Sequence, residues 1–108
     1  MNGDELAGLL ADDAVTLVDV RSPEEFSGEA GYPCDPRQGH IDGAVNVPLE
    51  VFMADMQAAL ADIDTSRPIV VYCHSGQRSE MAAAILRSAG HEATNYDGSW
   101  HEWSRRGD

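Results

Sequence analysis

The stretch PIVVYCHSGQRSEMAAAILRSAG, residues 68–90, decides the fold. Its opening, PIVVYC, is the most β-prone run in the chain and reads as a central strand. SEMAAAILRSAG is a helix that stops with Gly90 at the C′ position. Between them CHSGQRS leaves a buried strand and enters a helix within six residues, with Ser79 expected to start the helix. In so short a passage the backbone N–H groups around Gly76 and Ser79 point inward without intrachain partners and form an anion cradle. Cys73 sits at its centre. These donors, the positive end of the helix dipole and Arg78 all favour thiolate over thiol, which makes Cys73 a nucleophile. A lone cysteine at a strand end is otherwise a small core residue. The chemistry of this loop argues against that bland reading.

Outward from this unit, helix and strand signals alternate along the chain. DELAGLLADD (4–13) places Leu6, Leu9 and Leu10 on one helical face, and VTLVDV (15–20) is a short apolar run typical of a buried strand. SPEEF carries Ser22 at an N-cap, Pro23 at the first helical position and Glu25 three residues on, a capping box. GEAGYPCDPRQGHIDG (28–43), with four glycines and two prolines, is a long loop, and loops of this length are often functional. AVNVP follows as a strand, and VFMADMQAALADI (51–63) spaces Phe52, Met53, Met56 and Leu60 for one helix. EATNY is a weaker strand, and SWHEW opens a last helix with Ser99 and Glu102 as a second capping box. This order predicts an α/β fold with a mostly parallel central sheet and helices on both faces, its ligands outside the carboxyl ends of the strands. Cys73 stands at such an end.

Composition narrows the partners. The 108 residues, 43% of them hydrophobic, suit one domain with one core over 1–108. Nineteen acidic residues against seven basic ones give a net charge of −12, which repels nucleic acid and anionic membranes. All seven basic residues are arginine, so lysine Schiff-base chemistry is excluded. No apolar run approaches a membrane span, and MNGDELAGLL lacks the features of a signal peptide, which points to the cytosol. Two cysteines, Cys34 and Cys73, are too few for a disulfide-stapled scaffold.

Four motifs together give the chain a likeness: LVDVRSPEEF, GHIDGAVNVP, CHSGQRS and YDGSWHEW, in that order from about residue 15 to residue 103. It resembles the rhodanese-type sulfurtransferase family, whose C-x-x-G-x-R pattern falls on Cys73, Gly76 and Arg78. GEAGYP and the ending YDGSWHEW look most like the catalytic C-terminal half of tandem sulfurtransferases. The resemblance implies a rhodanese-like fold in which Cys73 accepts a sulfane sulfur as a persulfide and passes it to cyanide or a thiol. It also implies a small-molecule donor such as thiosulfate or mercaptopyruvate, with a sulfur-accepting protein as a further partner and no cofactor. Family domains usually begin with a strand before the first helix, whereas here the helix signal starts at Asp4, so that strand is expected to be missing or displaced. Thiosulfate-preferring tandem relatives often carry basic residues just after the cysteine, where this chain has His74 and Ser75, which leaves the donor open.

The remaining candidates are weighed singly. His74, Ser75, Gly76, Gln77 and Ser79 form the anion-binding loop, with His74 expected to contact substrate. Arg78, taken with Cys73 as catalytic, either holds an anionic donor or stabilises the persulfide, or it braces the loop through backbone carbonyls. Asp19 and Arg21, at the end of a buried strand, read as a structural pair. His40 reads as a loop-fixing partner, and Trp100 as core packing before pocket wall. Cys34 could resolve an oxidised or sulfur-loaded Cys73, although an incidental thiol is the simpler reading. A zinc site from Cys34, His40, Cys73 and His74 lacks any paired C-x-x-C or H-x-x-x-H spacing, and no metal is expected. Two other function classes stay open: a phosphatase or arsenate reductase of the related fold, and a sulfur-relay or binding module. The former use C-x5-R, whereas Cys73 and Arg78 enclose four residues, a loop sized for one sulfur atom.

Overall fold

The computed structural model describes residues 1–106. In chain order its elements are α1 (Gly3–Ala11), β1 (Thr16–Asp19), α2 (Pro23–Ser27), β2 (Val45–Asn46), α3 (Leu49–Ala54), α4 (Met56–Leu60), β3 (Ile69–Tyr72), α5 (Gln77–Ser88), β4 (Ala93–Asn95) and α6 (Ser99–Trp103). The strands form one four-stranded sheet in the order β2-β1-β3-β4, every pairing parallel. The expected α/β architecture is therefore present. Among the described residues no strand precedes α1, and no helix is long and apolar enough to cross a membrane.

Side-chain alternation along the central strands builds a core on each side of the sheet. Val18, Ile69 and Val71 face Phe52, Ala59, Ala82, Ala83 and Leu86 from α3, α4 and α5. Leu17, Val70 and Tyr72 face Leu6 of α1, Tyr96 and Trp100 of α6. The consecutive apolar residues of β1 and β3 thus serve two cores at once, which is why neither run shows a polar alternation.

Local chemistry sets the helix ends. The box of Ser22 and Glu25 starts α2, and Gly28, at φ 92, ends it. An equivalent box of Asn2 and Glu5 starts α1. Three expectations need correction. The helix expected over 51–63 is two helices, because Asp55 adopts an extended conformation and its carboxylate caps α4 through the Gln57 and Ala58 N–H groups. The helix after the cysteine loop begins at Gln77, two residues before Ser79, with Gly76 as its N-cap. Ser99 is not an N-cap. Gly98 holds that position without a side-chain cap, and Ser99 lies at φ 55 with its hydroxyl turned to the Cys73 N–H, just past β3.

Candidate active site

Cys73 follows directly on β3, so the carboxyl end of this interior strand fixes one end of the loop and α5 the other. The residue is 1% exposed. Its Sγ accepts a hydrogen bond from the Gly76 N–H at 3.1 Å and one from the Ser79 hydroxyl at 3.3 Å. Burial pushes the thiol pKa up. The Ser79 hydroxyl and the N–H groups of Ser79, Gly76 and Ser75 together outweigh it, and the pKa ends below the ordinary thiol value. Desolvation and donors thus work against each other here, and the donors win.

The turn that aims these donors tolerates one residue type at its apex. Gly76 lies at φ 98, and a Cβ there would approach the Asp97 carbonyl oxygen to 2.7 Å. The Asn95 amide donates to the Gly76 carbonyl at 3.1 Å, holding the apex to β4. From α6, Trp100 N–H donates to the Cys73 carbonyl at 3.0 Å, and His101 N–H donates to that of His74 at 2.9 Å. The Ser99 hydroxyl accepts from Cys73 N–H at 3.1 Å and donates to the Tyr96 carbonyl at 2.8 Å. The positive φ of Ser99 is the backbone geometry that accompanies this reach.

Arg78 lies at the loop's outer side. Its guanidinium is bonded not to backbone carbonyls but to Glu25 of α2, in a two-pronged pair at 2.8 and 3.1 Å. The Arg78 hydrogen bonds hold the Glu25 carboxyl at a pKa of about 2 against the cost of burial, assisted by charge attraction and by Ser22. Beside this pair opens a cleft of about 320 Å³ lined by Ser22, Glu25, Ala30, Gly31, Tyr32 and Arg78. Gln77 and Ser75 are exposed on the same loop. A larger cavity of about 390 Å³, between α1, α6 and the 37–42 segment, contains none of the cysteine-loop residues.

His74 is buried, and its Nε2 donates to the Asp35 carboxylate at 2.8 Å while its ring stacks on Tyr32 at 3.8 Å. Asp35 also receives Arg105 at 2.8 Å. Asp19 and Arg21 form a buried pair at 2.7 Å, and Arg21 continues to the Gly39 carbonyl at 2.6 Å, which ties the long loop to β1. Trp100 is buried with its face toward the guanidinium groups of Arg21 and Arg37, and its indole N–H donates to the Arg37 carbonyl. His40 stacks on Phe26 and donates through Nδ1 to the Phe26 carbonyl at 2.8 Å. Cys34 is exposed, Cys73 is buried, and both are free thiols. The structure therefore gathers Cys73, Gly76 and Ser79 around one sulfur, and it directs His74, expected at the substrate, to Asp35 and Arg78 to Glu25. Glu25, Asp35 and Ser99 were missed as partners of this loop. Their contacts span 53, 39 and 26 residues, and no local pattern announces such distant pairs.

The same fold recurs in known proteins. The chain belongs to the Rhodanese-like domain family, which matches residues 2–106. It is 39% identical to "Putative thiosulfate sulfurtransferase 1" of Mycobacterium bovis, covering 88% of this chain and 41% of that protein. A protein of Haloferax volcanii with the name "Putative thiosulfate sulfurtransferase" is 40% identical over 85% of this chain and 38% of its own length. The chain thus spans about two-fifths of these relatives. Among solved structures, "Crystal Structure of Probable Thiosulfate Sulfurtransferase" superposes with a TM-score of 0.80 at 44% identity, over 97% of this chain and 44% of that one. The human single-domain sulfurtransferase TSTD1 superposes with a TM-score of 0.73 at 28% identity, over 100% of this chain and 96% of that one.

Proposed function

We propose that the protein is a rhodanese-type sulfurtransferase that carries a sulfane sulfur on Cys73. One observation carries this reading: the loop's hydrogen-bond donors converge on the Cys73 sulfur, while its arginine is engaged by Glu25. A cradle for a tetrahedral oxyanion needs its cation aimed at the anion. The four-residue spacing between Cys73 and Arg78 and the prior engagement of Arg78 both favour one sulfur over a phosphate or arsenate.

In the first step the Cys73 thiolate attacks the outer sulfur of a donor such as thiosulfate. A Cys–S bond forms, the donor's S–S bond breaks, and sulfite leaves with the bonding electron pair. The persulfide anion is held by the same N–H and hydroxyl donors that favour the thiolate. In the second step cyanide or a thiolate attacks the terminal sulfur and the Cys73 thiolate returns. With mercaptopyruvate the leaving group is the pyruvate enolate, which takes up a proton. Neither step calls for a metal or an organic cofactor. The cleft beside Arg78 gives the anionic end of the donor its room, and Tyr32 forms one wall. A sulfur-accepting protein in the cytosol fits the same second step.

Intact-protein mass spectrometry after exposure to thiosulfate or mercaptopyruvate tests this. The expected result is one added sulfur on the parent protein, removed by cyanide, and no adduct or turnover in Cys73→Ser. Sulfur loading that persists in Cys73→Ser removes the mechanism, and Cys73-dependent hydrolysis of aryl phosphates without sulfur loading reverses the assignment.

A further inference from the structure

A second cluster of chemistry-bearing side chains lies behind the cysteine loop and takes no part in the sulfur steps. Asp35 of the long loop, His74 of the cysteine loop and His101 of α6 each offer one ligand atom, and these three atoms lie within 4.8 Å of one another. His74 Nε2 is 2.8 Å from Asp35 Oδ2, and His101 Nδ1 is 4.0 Å from Asp35 Oδ1. Asp35 is buried, and a buried carboxylate needs positive charge or donors around it. Here that charge comes from Arg105, 2.8 Å from Oδ1 and anchored besides to the carbonyls of His101 and Cys34.

We propose that Asp35, His74 and His101 bind a single zinc ion. Two imidazoles and a carboxylate are a ligand set suited to Zn²⁺, with a fourth position left for water. At zinc–ligand bonds of about 2.1 Å, neighbouring ligand atoms of a tetrahedral site stand roughly 3.4 Å apart. His74 and His101 reach different oxygens of Asp35, at 2.8 and 4.0 Å, and with one ligand atom taken from each residue every separation falls within 4.8 Å, so side-chain rotation has to draw the three atoms in by about an ångström to form the site. Binding replaces the His74 N–H···Asp35 hydrogen bond: the ring proton moves from Nε2 to Nδ1, and the freed Nε2 lone pair goes to the metal. Arg105 gives up Asp35 and keeps the two carbonyls. The ion then joins three segments distant in sequence, one of them adjoining Cys73. This set shares only His74 with the quartet excluded on spacing grounds; Asp35 and His101 reach it through the fold.

The chief competitor for zinc in this protein is a thiolate, so the test separates the two. Zinc binding is measured by competition with a chromophoric chelator of micromolar affinity, alongside thermal melting. The proteins are the parent, a thiol-free variant (Cys34→Ser with Cys73→Ser), His101→Ala and Asp35→Asn. We expect one equivalent of zinc with similar affinity in the parent and the thiol-free variant, and a zinc-dependent rise in Tm in both. His101→Ala, whose side chain is 54% exposed and whose loss leaves the core intact, should bind at least about tenfold more weakly and lose the rise in Tm. Asp35→Asn should weaken binding likewise. Loss of binding in the thiol-free variant, or unchanged affinity in His101→Ala, overturns the proposal. The outcome is independent of whether Cys73 carries sulfur.

Discussion

Two arginine–carboxylate pairs flank the sheet end that carries Cys73, and they differ in almost everything but chemistry. Asp19 and Arg21 are two residues apart, with side chains 0% and 1% exposed, and Arg21 lies near the rings of Tyr72 and Trp100. Glu25 and Arg78 are 53 residues apart, with side chains 14% and 35% exposed, and they line an open cleft. The first pair also holds the Gly39 carbonyl, so it fixes the long loop. The second pair joins α2 to the start of α5 beside the open cleft. Burial decides the division of labour. A cation sealed in the interior has one arrangement open to it, whereas a cation at a cleft can exchange its partner for a ligand.

The largest effect should come from breaking the buried pair. Arg21→Met leaves Asp19 without its cation in a dry site and deprives the Gly39 carbonyl of its donor. Urea unfolding at neutral pH should show a loss of about 3–5 kcal/mol, the usual cost of stranding one member of a buried ion pair. Adding Asp19→Leu should recover part of that loss, because the stranded charge is then gone. A loss below about 1 kcal/mol would place Arg21 with ordinary surface pairs and erase the contrast.

Breaking the open pair should act on kinetics more than on folding. Glu25→Gln keeps an amide at the third helical position, so the Ser22 cap retains its partner, while the carboxylate charge that faces Arg78 disappears. Thiosulfate, a dianion approaching a chain of net charge −12, then meets an uncompensated guanidinium. We expect kcat/KM for thiosulfate to rise by about tenfold, equivalent to one charge-assisted contact worth about 1.4 kcal/mol, mostly through KM. Mercaptopyruvate, a monoanion, should gain less. Unchanged or lower kcat/KM in steady-state assays at fixed ionic strength would mean that Arg78 does not meet the donor.

The same contrast explains what the sequence discloses. The strand, cysteine loop and helix of residues 68–90 are legible because periodicity, β-branching and the glycines act over a few residues. The two pairs of Ser and Glu at i and i+3 show the limit. At Ser22 the pattern is a capping box, with Glu25 bonded to the Ser22 N–H and hydroxyl. At Ser99 the same spacing yields none, because the hydroxyl is claimed by Cys73 N–H and the Tyr96 carbonyl, while Glu102 accepts from the Tyr96 hydroxyl at 2.7 Å. Tertiary demand overrides the local signal there. It also assigns Glu25 a second partner in Arg78, and turns His74 toward Asp35. A residue's type shows what it can bond, but only the fold decides which distant group arrives.

The smallest expected effect isolates the electrostatics of the open pair by pH. Hydrogen bonds from Arg78 are the leading cause of the Glu25 pKa of about 2, against an ordinary value of 4.5, with burial opposing and charge attraction and Ser22 assisting. Because the folded-state pKa is depressed, the unfolded chain binds more protons at this site between those values. The pair's contribution is therefore fully present above pH 4.5 and is lost as pH falls toward about 2. Solvent screening at a cleft reduces it to about 1 kcal/mol at neutral pH. Glu25→Gln has no such titration. The stability gap between parent and variant should accordingly stay constant from neutral pH down to about 5 and then close between about pH 4.5 and 2, as the other carboxylates titrate alike in both proteins and cancel. Denaturant unfolding at a series of acidic pH values measures the gap directly. A gap that persists unchanged at low pH would show that the contribution of Glu25 does not depend on its charge, and would deny Arg78 its hold on the carboxylate.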